Sequence, residues 1–192
     1  MTRSPVRAKH WTRLEYERLV DLGAFRSGEH LELVGGALLV REPEGSPHAT
    51  AVGLVEDALR EAFGRGWTVR AQNPIALDDE SEPEPDVADV PGHRRDYTRA
   101  HPAHPVLIVE VADSSLQLDR AQKASLYARA RIADYWIVNL VDEVVEVHRD
   151  PVAAAEAPYG WRYSSILTLR AGTAVAPLGL PDAAILISDL LP

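Results

Sequence analysis

Residues 106–112, VLIVEVA, form a continuous, largely β-branched apolar run interrupted by a single charge, Glu110. A run of this kind suits a strand covered on both faces, so the chain must build a sheet with other layers packed on either side. An isolated carboxylate in such a strand is expensive to bury, so Glu110 has to be paired, protonated or bound to a cation. A helical pattern over 116–130 and a second buried strand over 134–140 (DYWIVNL) follow it. Strand, helix and strand in succession point to an α/β or α+β fold.

The remaining segments fill in around that core. Thr12 and Glu15 stand at capping-box spacing among Leu14, Leu19 and Leu22, which predicts a helix over 12–22. Residues 31–41 read as two strands joined at Gly35-Gly36. Ser46-Pro47 opens a helix to about Phe63, with Val52, Val55, Leu59 and Phe63 three or four apart. Strands are expected at 67–77, 86–90, 143–148 and 161–169, and coil with a short strand and terminal turn at 175–191. Ser114 or Ser115 is the expected cap of the 116–130 helix. Residues 1–10 read as a flexible arm, and 1–192 as a single domain.

Composition removes several function classes. There is no cysteine, which excludes a disulfide scaffold, a zinc–thiolate site and a cysteine nucleophile. With 20 Lys+Arg against 29 Asp+Glu the net charge is -9, so the chain does not coat nucleic acid through overall charge, although a local basic groove remains open. No apolar run nears the roughly 18 residues of a membrane span, and the start lacks the apolar core of a signal peptide. A cytoplasmic protein with no membrane partner is expected. The P-loop, GxGxxG, HExxH and GxSxG patterns are absent.

Chemistry concentrates on a few residues. Asp86 opens a short strand after Pro85, and alone it reads as a turn aspartate. With Glu110 it makes a pair of strand-end carboxylates, a hard oxygen-rich set suited to Mg²⁺ or Mn²⁺. Lys123 lies on the following helix, with Asp119 four before it and Tyr127 four after, broadly on one face. An ammonium aimed at the strand end can offset charge on a phosphate. Alone, the Asp119–Lys123 pair reads as a solvated face. Glu32, in the hairpin, could reach the same place; His48 reads as a capping or surface histidine. Arg120, Lys123, Arg129 and Arg131, with Arg94, Arg95 and Arg99, could contact phosphates or simply balance the seven acids between Asp78 and Asp89.

These segments together resemble the Uma family of restriction-endonuclease-like proteins, within the PD-(D/E)xK nuclease superfamily. The likeness runs from about Trp11 to the C-terminus. It rests on HLELVGGALL, on the Ser-Pro-His-Ala start at 46–49, on PDVADV at 85–90, and above all on residues 105–140. It implies a restriction-endonuclease-like core: a mixed central sheet flanked by helices, with an N-terminal helix and β-hairpin. By the resemblance Asp86 and Glu110 bind metal with the Val111 backbone carbonyl, and Glu32 is an accessory acid. The superfamily lysine, usually two residues after the glutamate, is replaced there by Ala112 and matched by Lys123 on the helix. His48, Asp119, Arg120 and Tyr127 are accessory positions. Gly35-Gly36-Ala37 stands where the family usually has Asp-Gly-Glu, so a second hairpin acid is missing.

The implied function is Mg²⁺- or Mn²⁺-dependent hydrolysis of DNA phosphodiesters by a homodimer. Two rivals stay open: a non-catalytic protein that binds nucleic acid or protein on a nuclease scaffold, and a hydrolase of small phosphate esters.

Overall fold

The computed structural model describes residues 7–26, 28–41 and 43–192. Helix α1 (Arg13–Asp21) is closed by the expected capping box, in which the Thr12 hydroxyl accepts from the Glu15 amide. The hairpin of β1 (His30–Val34) and β2 (Ala37–Arg41) follows. Gly35 and Gly36 both have positive φ, as a two-residue turn of this hand requires. A Cβ on Gly35 would meet Tyr159 at 2.3 Å, and one on Gly36 would meet His10 at 2.2 Å. Of the expected N-terminal arm, residues 1–6 lie outside the described residues. Lys9 pairs with Glu15, and His10 lies 3.5 Å from Glu80.

Helix α2 (Ser46–Phe63) leads into a six-stranded mixed sheet. Its strands are β3 (Trp67–Ala71), β4 (Val87–Pro91), β5 (Leu107–Ala112), β6 (Asp134–Asn139), β7 (Val144–Ala153) and β8 (Trp161–Arg170), side by side in chain order. β5 and β6 are parallel, and every other neighbouring pair is antiparallel. Between β5 and β6 the chain forms α3 (Leu116–Leu118), a π turn (Asp119–Lys123) and α4 (Ala124–Arg129). β9 (Ala174–Val175) and β10 (Ile185–Leu186) pair near the C-terminus.

Side-chain alternation on β5 decides which layer sees Glu110. Leu107, Val109 and Val111 join Ala51, Val55 and Leu59 of α2 in one core. Ile108 and Ala112 join Ala124, Tyr127 and Ala128 of α4 in the other. Glu110 shares the second face and so lies beneath the π turn and α4.

Four expectations need correction. The strand predicted over 67–77 ends at Ala71, because Gln72 takes a left-handed φ of 49° and Pro74 follows. The strand predicted over 143–148 runs on to Ala153. Its pairing with β6 ends at Arg149, so Pro151 bonds only β8 and its missing N–H faces no strand. The 116–130 helix is not continuous but carries the π turn. Ser115 holds the N-cap position without a capping bond; its hydroxyl donates to Asp119 instead.

Candidate active site

Just past the C-terminal end of β5 lies a cavity of about 260 Å³ whose lining includes Glu32, Arg41, His48, Asp86, Asp119 and Lys123. Glu110 borders it from below and is 1% exposed. The sequence brings these groups together through four elements: the hairpin, the N-terminus of α2, the β4 entry with the β5 end, and the π turn.

Glu110 is held from the helix layer. Lys123 Nζ donates to its Oε1 at 3.0 Å and the Tyr127 hydroxyl at 2.6 Å. The π turn makes this possible: its wider winding points both Asp119 and Lys123 inward, where each is buried. Lys123 also lies 3.5 Å from Glu32 Oε1, while Glu32 Oε2 accepts from the Glu84 amide at 3.0 Å. Burial would discharge Lys123, but Glu110 and Glu32 outweigh it and its pKa is raised. Burial likewise drives Glu110 upward, with Lys123 drawing it back. Burial lifts Asp119 to about 6, against Lys123 and the Ser115 hydroxyl.

Asp86 is held from the other side. Its Oδ1 accepts from Arg41 Nη2 at 2.7 Å, and its Oδ2 accepts from the Val111 amide at 2.8 Å and lies 3.2 Å from His48 Nε2. Burial raises its pKa, but His48 and Arg41 prevail and bring it to about 2. The Asp86 amide lies 3.4 Å from Glu110 Oε2, which ties the two acids into one unit.

Asp86, Glu110, Lys123, Glu32, His48, Asp119 and Tyr127 therefore converge, and Val111 meets Asp86 through its N–H. Arg120 does not join them: it makes a bidentate pair with Glu146 of β7. Arg129 pairs with Asp78, and Arg131 lies 3.8 Å from the Trp161 ring centroid, so of the basic stretch from 120 to 131 Lys123 alone lines the cavity. Sequence reasoning missed Arg41 and Glu44. Arg41 ends β2 and gives no pattern. Glu44 stands four residues before His48, and that spacing was the available signal.

The family model described as Uma2, "Putative restriction endonuclease", matches residues 14–186. The chain belongs to the Uma2 family. A crystal structure of "a putative nuclease belonging to DUF820" from Anabaena variabilis ATCC 29413 superposes with a TM-score of 0.70. It covers 94% of this chain and 97% of that one at 12% sequence identity, a likeness of fold. No curated protein matches the sequence. The Uma2 assignment and the mixed sheet flanked by helices agree with the resemblance read from residues 105–140. Among the described residues of this Uma2 chain, no helix is long and apolar enough to cross a membrane.

Proposed function

We propose that the chain is a metal-dependent endonuclease that hydrolyses phosphodiester bonds in DNA, using Mg²⁺ or Mn²⁺ held by Asp86, Glu110 and the Val111 carbonyl. The observation that carries the reading is the convergence of two carboxylates and a charged lysine on one cavity. The donor set fits a hard dication. Glu110 Oε1 is engaged by Lys123 and Tyr127, while Oε2 faces Asp86 with one long contact. The Ala112 carbonyl bonds the Leu140 amide across from β6, so the polar groups of Val111 point to the opposite edge, where Asp86 lies. A dication bound there supplies Lewis acidity towards a phosphate.

The chain's own groups do the rest. Tyr127 and Lys123 fix the Glu110 carboxylate; Arg41 and the Val111 amide fix Asp86. Lys123 keeps its proton and places positive charge against the negative charge that develops on the phosphoryl oxygens. Glu32 holds that ammonium from the cavity side.

Asp86→Asn and Lys123→Met should each abolish cleavage of supercoiled plasmid in Mg²⁺ or Mn²⁺ while far-UV circular dichroism stays native. Full activity in both variants overturns the reading. Losing Lys123 leaves a buried acid without its partner at a cost of about 3–5 kcal/mol, which a domain of typical 5–15 kcal/mol stability survives. The non-catalytic alternative draws on two features: Arg41 and Lys123 already compensate both acids, and the net charge is -9. DNA binding without cleavage would establish it. Cleavage of nucleotides but not polynucleotides would establish a small-ester hydrolase.

A further inference from the structure

We infer that Glu44, His48 and Asp86 form a cation position of their own, which takes a transition-metal dication such as Mn²⁺ through imidazole nitrogen as well as carboxylate oxygen. The inference deepens the metal-dependent reading, with which it shares Asp86. Each residue offers one ligand atom, and these atoms lie within 4.8 Å of one another. One ion with bonds of about 2.1 Å holds its ligands roughly 3–4 Å apart, so a single dication can gather all three with small adjustments. Among the described residues no other group of three His, Asp or Glu meets this condition.

The second observation is an unpartnered atom. His48 is 4% exposed, and its Nδ1 is buried without a hydrogen bond. Yet that nitrogen lies 2.6 Å from Glu44 Oε2, off the line a ring N–H would need. On the other edge of the ring Nε2 lies 3.2 Å from Asp86 Oδ2. The imidazole is thus wedged between two carboxylates, with Nδ1 close against one of them and out of line for a hydrogen bond. A shared cation relieves that contact.

Arg41 prepares the ligands. Its Nη2 lies 2.7 Å from Glu44 Oε1 and 2.7 Å from Asp86 Oδ1, which leaves the other oxygen of each carboxylate turned to His48. Ligating carboxylates are commonly oriented by such outer partners. Arg41 offsets one of the two negative charges and leaves one for the dication. The positive end of α2 opposes a cation by about half a charge, less than the carboxylate that remains. Arg41, Glu44, His48 and Asp86 all line the cavity, so an ion has a way in. Imidazole beside carboxylates favours Mn²⁺ or Zn²⁺ over Mg²⁺, which keeps its waters and prefers oxygen.

The test is a Mn²⁺ titration of the full chain, without DNA, followed by electron paramagnetic resonance and pulsed detection of ¹⁴N coupling. Wild type should bind Mn²⁺ more tightly than Mg²⁺ and show a histidine nitrogen coupling. His48→Gln should lose the coupling. Glu44→Gln should weaken Mn²⁺ at least about tenfold, since even outer partners cost 10–100-fold. Glu110→Gln should keep the coupling. Glu44 is partly exposed and tests the site even if His48→Gln does not fold. Absence of Mn²⁺ binding, or Mn²⁺ bound without nitrogen coupling, overturns the inference. DNA cleavage by a protein lacking the nitrogen signal overturns this inference and leaves the nuclease reading standing. Nitrogen-coupled Mn²⁺ without cleavage of DNA supports this inference and counts against the nuclease reading.

Discussion

Glu110 is the residue on which the candidate site turns, and its two partners are separable. Tyr127→Phe removes one of two side-chain hydrogen bonds to a buried carboxylate and should cost about 1.5–3 kcal/mol in urea unfolding. If Tyr127 only positions Glu110, kcat should fall while KM for DNA stays put. A second buried acid has no such support. Asp89 is fully buried, neither oxygen makes an aligned hydrogen bond, and burial pushes it up to about 7 against the pull of the Val90 amide. A carboxyl raised in the folded state favours folding while protonated. The penalty therefore sets in near pH 4, grows as pH rises to about 7, and is absent only well below pH 4. Asp89→Asn should be more stable relative to wild type at pH 7 than at pH 4, by a few kcal/mol. A difference independent of pH would contradict this. Glu110 was legible in the sequence because an acid inside an apolar strand has few explanations, whereas Asp86 and Lys123, which alone read as a turn aspartate and a solvated face, joined it through their pairing and the family resemblance. Arg41, Glu44 and the burial of His48 were not, because what brings them together is the docking of a hairpin that has no sequence signal for its partner.

Among the elements, the hairpin and the helical crossover decide the site. Gly36 has a φ of 80°, and an added Cβ would meet the His10 ring, so Gly36→Ala should cost at least about 1 kcal/mol in thermal unfolding. The same variant should loosen Glu32, which shares the hairpin. Unchanged stability would show that the turn reorganises freely. Helix α2 and the hairpin were read to within a residue or two, since capping, Ser-Pro and Gly-Gly are local signals. The π turn was not, because one extra residue in a helix leaves its apolar spacing almost intact while rotating Asp119 and Lys123 inward. The over-long strand at 67–77 misled for a related reason: Ile75 is buried, but it reaches the core from a loop bonded to Pro83.

For the whole molecule the net charge of -9 sets the terms of any encounter with DNA. Association should be negligible in chelator at physiological salt and appear on adding Mn²⁺, measured by fluorescence anisotropy on a labelled duplex. Cation-independent binding would mean that a basic surface away from the cavity does the work. The expected homodimer is a proposal for sedimentation analysis. The edge strand β8 exposes Ile166 and Leu167, and a monomer at micromolar concentration would refute it. The acidic stretch that begins at Asp78 has a further role. β1 bonds it reciprocally through Leu33 and Glu82, Gly36 donates to the Glu80 carbonyl, and Arg13 of α1 donates to the Asp79 carbonyl. The hairpin and α1 hang from this one spine rather than from the central sheet. That makes them a unit able to detach while the sheet persists, and hydrogen exchange should find their amides opening together, well below the free energy of global unfolding. Each such opening would carry away the wall of the cavity that Glu32 and Arg41 supply, so the proposed site would be widest when the edge of the molecule is locally unfolded.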